Sequence, residues 1–242
     1  MASLESVAVL VLAAGRGERL GHALPKAFVP LQAMTLIERS IRTLSSSGVF
    51  GRIQPVLAPS EFERFESLGL SGAVKGLMPP VAGGAERQDS MAAGLASLPP
   101  NVDLVAVHDA ARCLVALEDL HAVVQGARET GAAILGERSR DTIKRVVGRR
   151  IVDTPDRGEC WAAQTPQVIR RDWLAAAVEV AAREGRVGTD DAQLVEWLGH
   201  PVEMVESTAP NPKITRPEDL LLAEAILDAR QEADQRARGG AR

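Results

Sequence analysis

The 242-residue sequence predicts a single α/β domain, a mostly parallel twisted sheet with helices on both faces, plus a protruding β-hairpin arm. Three observations carry this prediction. Short apolar runs of strand length alternate with segments that open on a capping residue and carry apolar residues at helical spacing, the pattern of βαβ units. Between about residues 136 and 163 that alternation stops, and two β-branched runs flank a short glycine-containing turn, the pattern of a hairpin. No internal repeat and no linker divides the chain, whose length suits one large domain.

Composition narrows the function. Hydrophobic residues make up 45% of the chain but aromatics only 3%, so the core must be Val, Leu, Ile and Ala. A formal charge of −4 argues against a broad basic surface for nucleic acid and makes any anion site a local one. The two cysteines, Cys113 and Cys160, are far apart and lack C-x-x-C spacing. That argues against a zinc site and for a reducing, cytoplasmic compartment. No apolar run approaches the roughly 20 residues of a membrane span, and Glu5 ahead of the first apolar run does not fit a secretory signal.

Taken in order, Val7–Leu12 reads as the first strand and stops at Ala13-Ala14-Gly15, small residues that let backbone N–H groups approach a ligand. With those donors, Arg16, Arg19 and Lys26 on the following loop suit a polyphosphate. The loop is not a dinucleotide fingerprint, because Leu20 stands where the third glycine is needed. It is not a P-loop either, because Ala27 follows Lys26. Thr35-Leu36-Ile37-Glu38 reads as a capping box opening a helix with Ile37, Ile41 and Leu44 on one face. A second strand is expected over 53–58, a second helix from Ser60-Glu61-Phe62-Glu63, and a short strand over 74–77 before Pro79-Pro80. Gly83-Gly84-Ala85-Glu86-Arg87-Gln88-Asp89-Ser90 then leads into a helix over 91–98. The glycine pair can present backbone donors and Ser90 can bond a base or sugar edge, although an ordinary turn would look similar.

A strand over 104–107 delivers His108-Asp109-Ala110-Ala111-Arg112. An acid just past the carboxyl end of a parallel strand sits where open α/β sheets bind ligands. Asp109 could hold Mg²⁺ directly or through water, or cap a turn and pair with Arg112. His108 reads as an orienting or core residue, since nothing nearby resembles a nucleophile for it to serve. A helix over 120–128 closed by Gly131 and a strand over 132–135 precede the arm, about 137–163, in which 141–147 and 151–154 flank Gly148-Arg149-Arg150. The arm is highly charged and its apolar residues have few partners in the chain, so a second copy is expected to cover it. Residues 161–168 return to the body, and a helix follows over 173–183. Thr189-Asp190-Asp191-Ala192 caps a helix running to Leu198, and a late edge strand occupies 202–205. Pro217 stands in the first turn of a last helix. From Gln231 the tail is expected to be disordered, which leaves 1–230 as the domain.

The ordered motifs are L-A-A-G-R-G-E-R-L…L-P-K, G-G-A-E-R-Q-D-S, V-H-D-A-A-R, D-T-I-K-R, W-A-A-Q-T-P-Q, T-D-D-A and K-I-T-R-P-E-D-L, over about residues 6–230. The first matches the nucleotidyltransferase signature, and the whole series closely resembles the 2-C-methyl-D-erythritol 4-phosphate cytidylyltransferases. The resemblance implies a Rossmann-like nucleotidyltransferase domain, a homodimer joined through the arm, a divalent metal such as Mg²⁺, and transfer of a cytidylyl group from CTP to methylerythritol 4-phosphate. It implies Arg19 and Lys26 as cations at the α-phosphate. Ala13, Ala14, Gly15, Gly83, Gly84, Arg87 and Ser90 would hold the nucleotide. Asp109, Arg112 and Thr165 would lie at the substrate and metal end, with Lys213 from the body and with Thr142 and Arg157 reaching across the dimer. Arg157 and Lys213 would clamp the incoming phosphate. Cys113, Pro212 and Ala85 depart from the family's usual residues. The alternatives are a ribitol 5-phosphate cytidylyltransferase on the same scaffold and a nucleotide sensor without turnover.

Overall fold

A computed structural model describes residues 6–15, 20–22 and 24–239, with side chains as far as Ala237. In chain order the elements are β1 (Val7–Leu12), β2 (Pro30–Leu31), β3 (Met34–Thr35), α1 (Leu36–Ser46), β4 (Arg52–Leu57), α2 (Phe62–Glu66), β5 (Val81–Ala82), α3 (Arg87–Ser97) and β6 (Leu104–Asp109). They continue with α4 (Leu117–Thr130), β7 (Ala132–Arg138), β8 (Arg145–Val147), β9 (Arg150–Asp153), β10 (Trp161–Arg170), α5 (Arg171–Glu184), α6 (Asp191–Glu196), β11 (Glu203–Glu206) and α7 (Pro217–Gly239).

Seven strands form one sheet in the order β11-β7-β10-β6-β1-β4-β5. All neighbours are parallel except β10, which runs antiparallel to both β6 and β7. The alternation of β1 shows why helices cover both faces. Val7, Val9 and Val11 pack on one side with Ile37, Ile41 and Leu44 of α1 and Leu120 and Val123 of α4. Ala8 and Leu10 pack on the other with Met91 and Leu95 of α3 and Leu174 and Ala177 of α5. A third apolar group, including Leu31, Leu36, Leu114, Ile214 and Leu227, docks α7. The small hairpin of β8 and β9 is a separate sheet, and the apolar Val146, Val147, Ile151 and Val152 on it are exposed.

Register places the site. Leu12 pairs with Asp109 across β1 and β6, and Leu57 pairs with Ala82 across β4 and β5. Ala13-Ala14, Ala110 and Gly83-Gly84 therefore leave the sheet together at its carboxyl edge, where ligands bind in sheets of this kind.

Several expectations are corrected. Residues 74–77 form turns and touch the sheet only through a bridge between Ile53 and Leu77. The strand here is β5, beyond Pro79-Pro80. Helix α3 begins four residues before the expected position 91, because the Glu86 and Asp89 side chains form a capping box upstream of the apolar positions. Ser60 caps no helix; its hydroxyl meets Glu61, and α2 follows a 3₁₀ turn. The stretch 161–168 belongs to β10, a ten-residue strand whose buried Gln164, Thr165 and Gln167 hide the apolar alternation of a strand. From Gln231 the chain is helical to Gly239. Ala, Gln, Glu and Arg are good helix formers, and Arg236 and Glu232 pair one turn apart.

Candidate active site

At the carboxyl edge a cleft of about 300 Å³ is lined by Ala13, Ala14, Gly15, Lys26, Gly84, Arg87, Ser90, Asp109 and Lys213, among others. It adjoins a hollow of about 240 Å³ that shares Arg87, Asp109 and Lys213 and adds Arg112, Thr165 and Thr189. The sequence-predicted residues are thus brought together from β1, the Lys26 turn, α3, β6, β10 and the loop before α7. Arg19 lies outside the described residues. Thr142 and Arg157 lie on the exposed arm and line neither cavity, and the Arg157 guanidinium donates to the Arg140 carbonyl.

The cleft floor is built from small residues under tight constraint. Ala13 N–H donates to the Val56 carbonyl and Gly83 N–H to that of Leu57, tying both loops to β4. A Cβ on Gly83 would stand 2.5 Å from Ala14 Cβ and 2.7 Å from Ser90 Oγ. Buried Ser90 accepts from Gly84 N–H at 3.1 Å and donates to the Glu86 carbonyl at 3.2 Å. Gly83 therefore lets two cleft-lining residues approach each other without lining the cleft itself. Lys26 opens a 3₁₀ turn whose next two residues, Ala27 and Phe28, are buried, which anchors the lysine at the rim.

At the other end, Asp109 closes β6. Its Oδ1 accepts from Arg87 Nε at 3.2 Å, and its Oδ2 pairs with Lys213 Nζ at 2.6 Å. Burial opposes ionisation of Asp109, but Arg87 and Lys213 outweigh it and hold the carboxyl well below its ordinary range. The Arg87 guanidinium also donates to both oxygens of Asp191, each at 2.8 Å. Burial disfavours its charge, and the two aspartates more than offset that, raising its pKa. Arg112 does not form the direct pair with Asp109 considered from the sequence. It donates to the carbonyls of Asn211 at 2.8 Å and Ala163 at 3.2 Å, bracing the loop that carries Lys213.

Thr165 sits behind this group. Its hydroxyl accepts from Asp109 N–H and lies 3.1 Å from His108 Nδ1. Burial pushes the fully buried His108 imidazole down to about 4, which keeps the ring neutral beside Thr165. Of the departures noted in the sequence, Ala85 lines the cleft. Pro212 is accommodated because Asn211 Nδ2 donates to Gln164 and to the Thr165 carbonyl, and Ile214 N–H donates to Ala111. Burial pushes the Cys113 thiol up to about 11, and the residue packs in the third apolar group.

The sequence reading missed Asp191, Gln164, Gln167 and Thr189 as site residues. One signal was present in T-D-D-A: a cap needs one acid, and Asp190 supplies it by accepting from Gln193 N–H, which leaves Asp191 for Arg87. The glutamines carried no such signal.

Among the described residues no group of three or more His, Cys, Asp or Glu could hold a metal, and cations already occupy both oxygens of Asp109. A lone carboxylate in that state offers an ion no direct ligand beyond these cations, and its support for one would run through water.

A floor of small residues at the sheet's carboxyl edge, next to an acid bracketed by cations, fits a nucleotidyltransferase. The sequence model of the 2-C-methyl-D-erythritol 4-phosphate cytidylyltransferases matches residues 7–229, and the chain belongs to that family. A protein of that name from Geobacillus kaustophilus is 42% identical over 221 residues, covering 91% of this chain and 96% of its own. Another, from Pelotomaculum thermopropionicum, is 40% identical over 235 residues, covering 94% and 97%. The crystal structure of 2-C-methyl-D-erythritol 4-phosphate cytidylyltransferase from Thermus thermophilus matches with a TM-score of 0.73 at 33% identity, covering 92% of this chain and 98% of that one. That of 4-diphosphocytidyl-2C-methyl-D-erythritol synthase from Anaerococcus prevotii matches with a TM-score of 0.83 at 25% identity, covering 93% and 100%. Among the described residues no helix is long and apolar enough to cross a membrane.

Proposed function

We propose that this enzyme joins CTP to 2-C-methyl-D-erythritol 4-phosphate in the non-mevalonate route to isoprenoid precursors. A phosphate oxygen of the acceptor forms a bond to the α-phosphorus of CTP. The bond from that phosphorus to the bridging oxygen breaks, and pyrophosphate leaves with the electron pair. The products are pyrophosphate and 4-diphosphocytidyl-2-C-methyl-D-erythritol. The observation that carries this reading is the placement of Lys26 and Lys213 on one cleft, with Asp109 between Lys213 and Arg87.

The nucleophile is already an anion, so no general base is needed, and the neutral, buried His108 is consistent with that. The remaining task is to bring two anions together and to stabilise charge on a five-coordinate phosphorus. Lys26 faces the α-phosphate, with Arg19 assigned to the same task. Lys213 meets the acceptor phosphate with the N–H groups it does not give to Asp109. Cytosine and ribose lie over Ala13, Ala14, Gly84 and Ser90, where small side chains leave backbone groups for recognition. Mg²⁺, supported by Asp109 through water, would neutralise phosphate charge when bound.

The arm carries Thr142 and Arg157 to the acceptor end of a second copy's cleft. Val147 and Ile151, left exposed among the described residues, support a homodimer of this kind. Both cysteines are free thiols, which supports a cytoplasmic setting.

The test is pyrophosphate release from CTP and Mg²⁺ with methylerythritol 4-phosphate, beside ribitol 5-phosphate, a no-acceptor control and an EDTA arm. Release with methylerythritol phosphate alone, abolished by EDTA, is expected. Release with ribitol phosphate instead would move the acceptor assignment, and CTP binding without release would leave a sensor. Turnover in EDTA would remove the metal.

A further inference from the structure

We propose that Asp191 is a positioning residue for cytidylyl transfer, holding Arg87 as a strut that fixes Asp109, and through it Lys213, at the acceptor end of the cleft. The inference deepens the reading above and rests on it.

Asp191 is 1% exposed and takes the Arg87 guanidinium end-on, with both Nη atoms at 2.8 Å. The Nε–H of the same guanidinium donates to Asp109 at 3.2 Å. Three of the five N–H groups of Arg87 are thus committed to carboxylates, so its main work is to connect Asp191 to Asp109 and not to hold phosphate. The chain of contacts continues from Asp109 to Lys213 at 2.6 Å. It links α6, α3, β6 and the loop before α7, and Arg87 and Asp191 stand 104 residues apart.

The far end of the strut is itself fixed. Gln167 of β10, 1% exposed, accepts through Oε1 from Asp191 N–H at 3.0 Å and from Ala192 N–H at 2.9 Å. Its Nε2 donates to Asp190 at 2.9 Å. One side chain therefore pins the start of α6 to the sheet and sets the height of Asp191 above it.

Two observations speak against a merely structural role. Asp190 already caps α6, so the helix does not need Asp191. A buried ion pair is also weak as a stabiliser, because desolvation offsets most of its attraction. What a forked Arg–carboxylate contact supplies best is fixed geometry, and the group whose geometry it fixes is Asp109.

The experiment is a double-mutant cycle of Asp191→Asn and Arg87→Gln on the full chain, measuring kcat/KM for the acceptor per folded molecule, CTP affinity by calorimetry and Tm. Each single substitution should lower kcat/KM by about 100-fold, the scale of a misplacement of order 1 Å, with CTP affinity little changed in Asp191→Asn. The double variant should be no slower than the slower single one, because both residues act through one strut. A double variant slower by the product of the two effects would overturn the proposal. So would singles that lose only Tm, with turnover per folded molecule intact. Arginine side-chain ¹⁵N resonances supply a readout independent of turnover: those of Arg87 should show slowed rotation in the wild type and faster rotation in Asp191→Asn. Unchanged resonances would overturn the strut. A wild-type protein that releases no pyrophosphate would defeat the functional reading while leaving this readout in place.

Discussion

Gly83→Ala tests the construction of the nucleotide end, and its consequence can be worked from distances. The added methyl would lie 2.5 Å from Ala14 Cβ and 2.7 Å from Ser90 Oγ. Carbon atoms in contact prefer about 3.5–4.0 Å, so one partner must move by roughly 1 Å. Ser90 has little room to do so, being buried on α3 and bonded to Gly84 N–H and the Glu86 carbonyl. Ala14 would move instead, along with the cleft floor beneath the nucleotide. Overpacking of this size costs about 1–3 kcal/mol, and for a chain of this length each kcal/mol lowers Tm by roughly 2–4 °C. A displaced floor should also weaken CTP binding and lower kcat/KM by up to about 100-fold. The assay pairs calorimetric CTP titration with thermal unfolding, for Gly83→Ala alone and together with Ala14→Gly. The second change removes the 2.5 Å contact and should recover part of both losses. If Gly83→Ala bound CTP like the wild type, or if Ala14→Gly restored nothing, the reasoning about the floor would be wrong.

The remaining expectations follow from the other parts of the site. Lys26→Ala should lower kcat by about 10²–10³-fold, the usual effect of losing one charge-stabilising donor, while Arg157→Ala should chiefly raise KM for the acceptor. The reverse pattern in steady-state kinetics would exchange the two roles. Ile151→Asp on the arm should convert dimer to monomer in light scattering; a wild-type protein that is already monomeric would remove the arm's proposed role. Stability should fall with acid because burial holds His108 at about 4, below its ordinary value. Between those two values the unfolded chain binds a proton that the folded one does not, so stability is full above about pH 6.5 and is lost as pH falls toward 4, by roughly 2 kcal/mol at pH 5. Burial raises Asp191, so its contribution runs the other way and is lost as pH rises. Asp109, held low, loses its contribution only at lower pH still. Urea melts of the wild type and His108→Asn at pH 8 and pH 5 check the sign, since the variant should show a smaller acid loss.

The parts of this fold that could be read from sequence are those written in local terms. β1 is an uninterrupted apolar run, α1 has Thr35 at its start accepting from Glu38 N–H, and α4 ends on Gly131 at φ 95°. Asp109 was legible because its position at a strand end has meaning without knowledge of its partners. β10 was not, because its buried face is polar: Gln164, Thr165 and Gln167 find hydrogen-bond partners 24 to 56 residues away in sequence. Local propensity says nothing about contacts of that kind. The two residues of β5 lie beyond the double proline that closes the segment in a local reading, and pairing with β4 alone makes them a strand. Asp191 was visible as a capping acid, and only the fold shows Arg87 waiting opposite.

The charges of this cleft divide into two sets with different duties. Asp191, Arg87, Asp109 and Lys213 form a connected series of two acids and two bases, so the series is neutral as a whole. It cannot provide the net attraction that two polyanionic substrates require. What it provides is a lysine held in place before any substrate arrives, so that little reorganisation remains when charge develops on phosphorus. Within the series the ends differ. Arg87 is shared between two carboxylates, whereas Lys213 has only Asp109 among the ion pairs of the described residues. Lys213, with 38% of its side chain exposed, is therefore the cation that keeps N–H groups for an arriving phosphate while Asp109 holds it, and Arg87 is the one committed to carboxylates. Net positive charge must come from outside the series: from Arg112, which donates to two backbone carbonyls, and from the lysine and arginines that the sequence assigns to the first loop and the arm. A site built this way separates holding from attracting: the acids fix geometry at no gain in charge, and the cations proposed to attract substrate stand outside the series, on the first loop and on the arm.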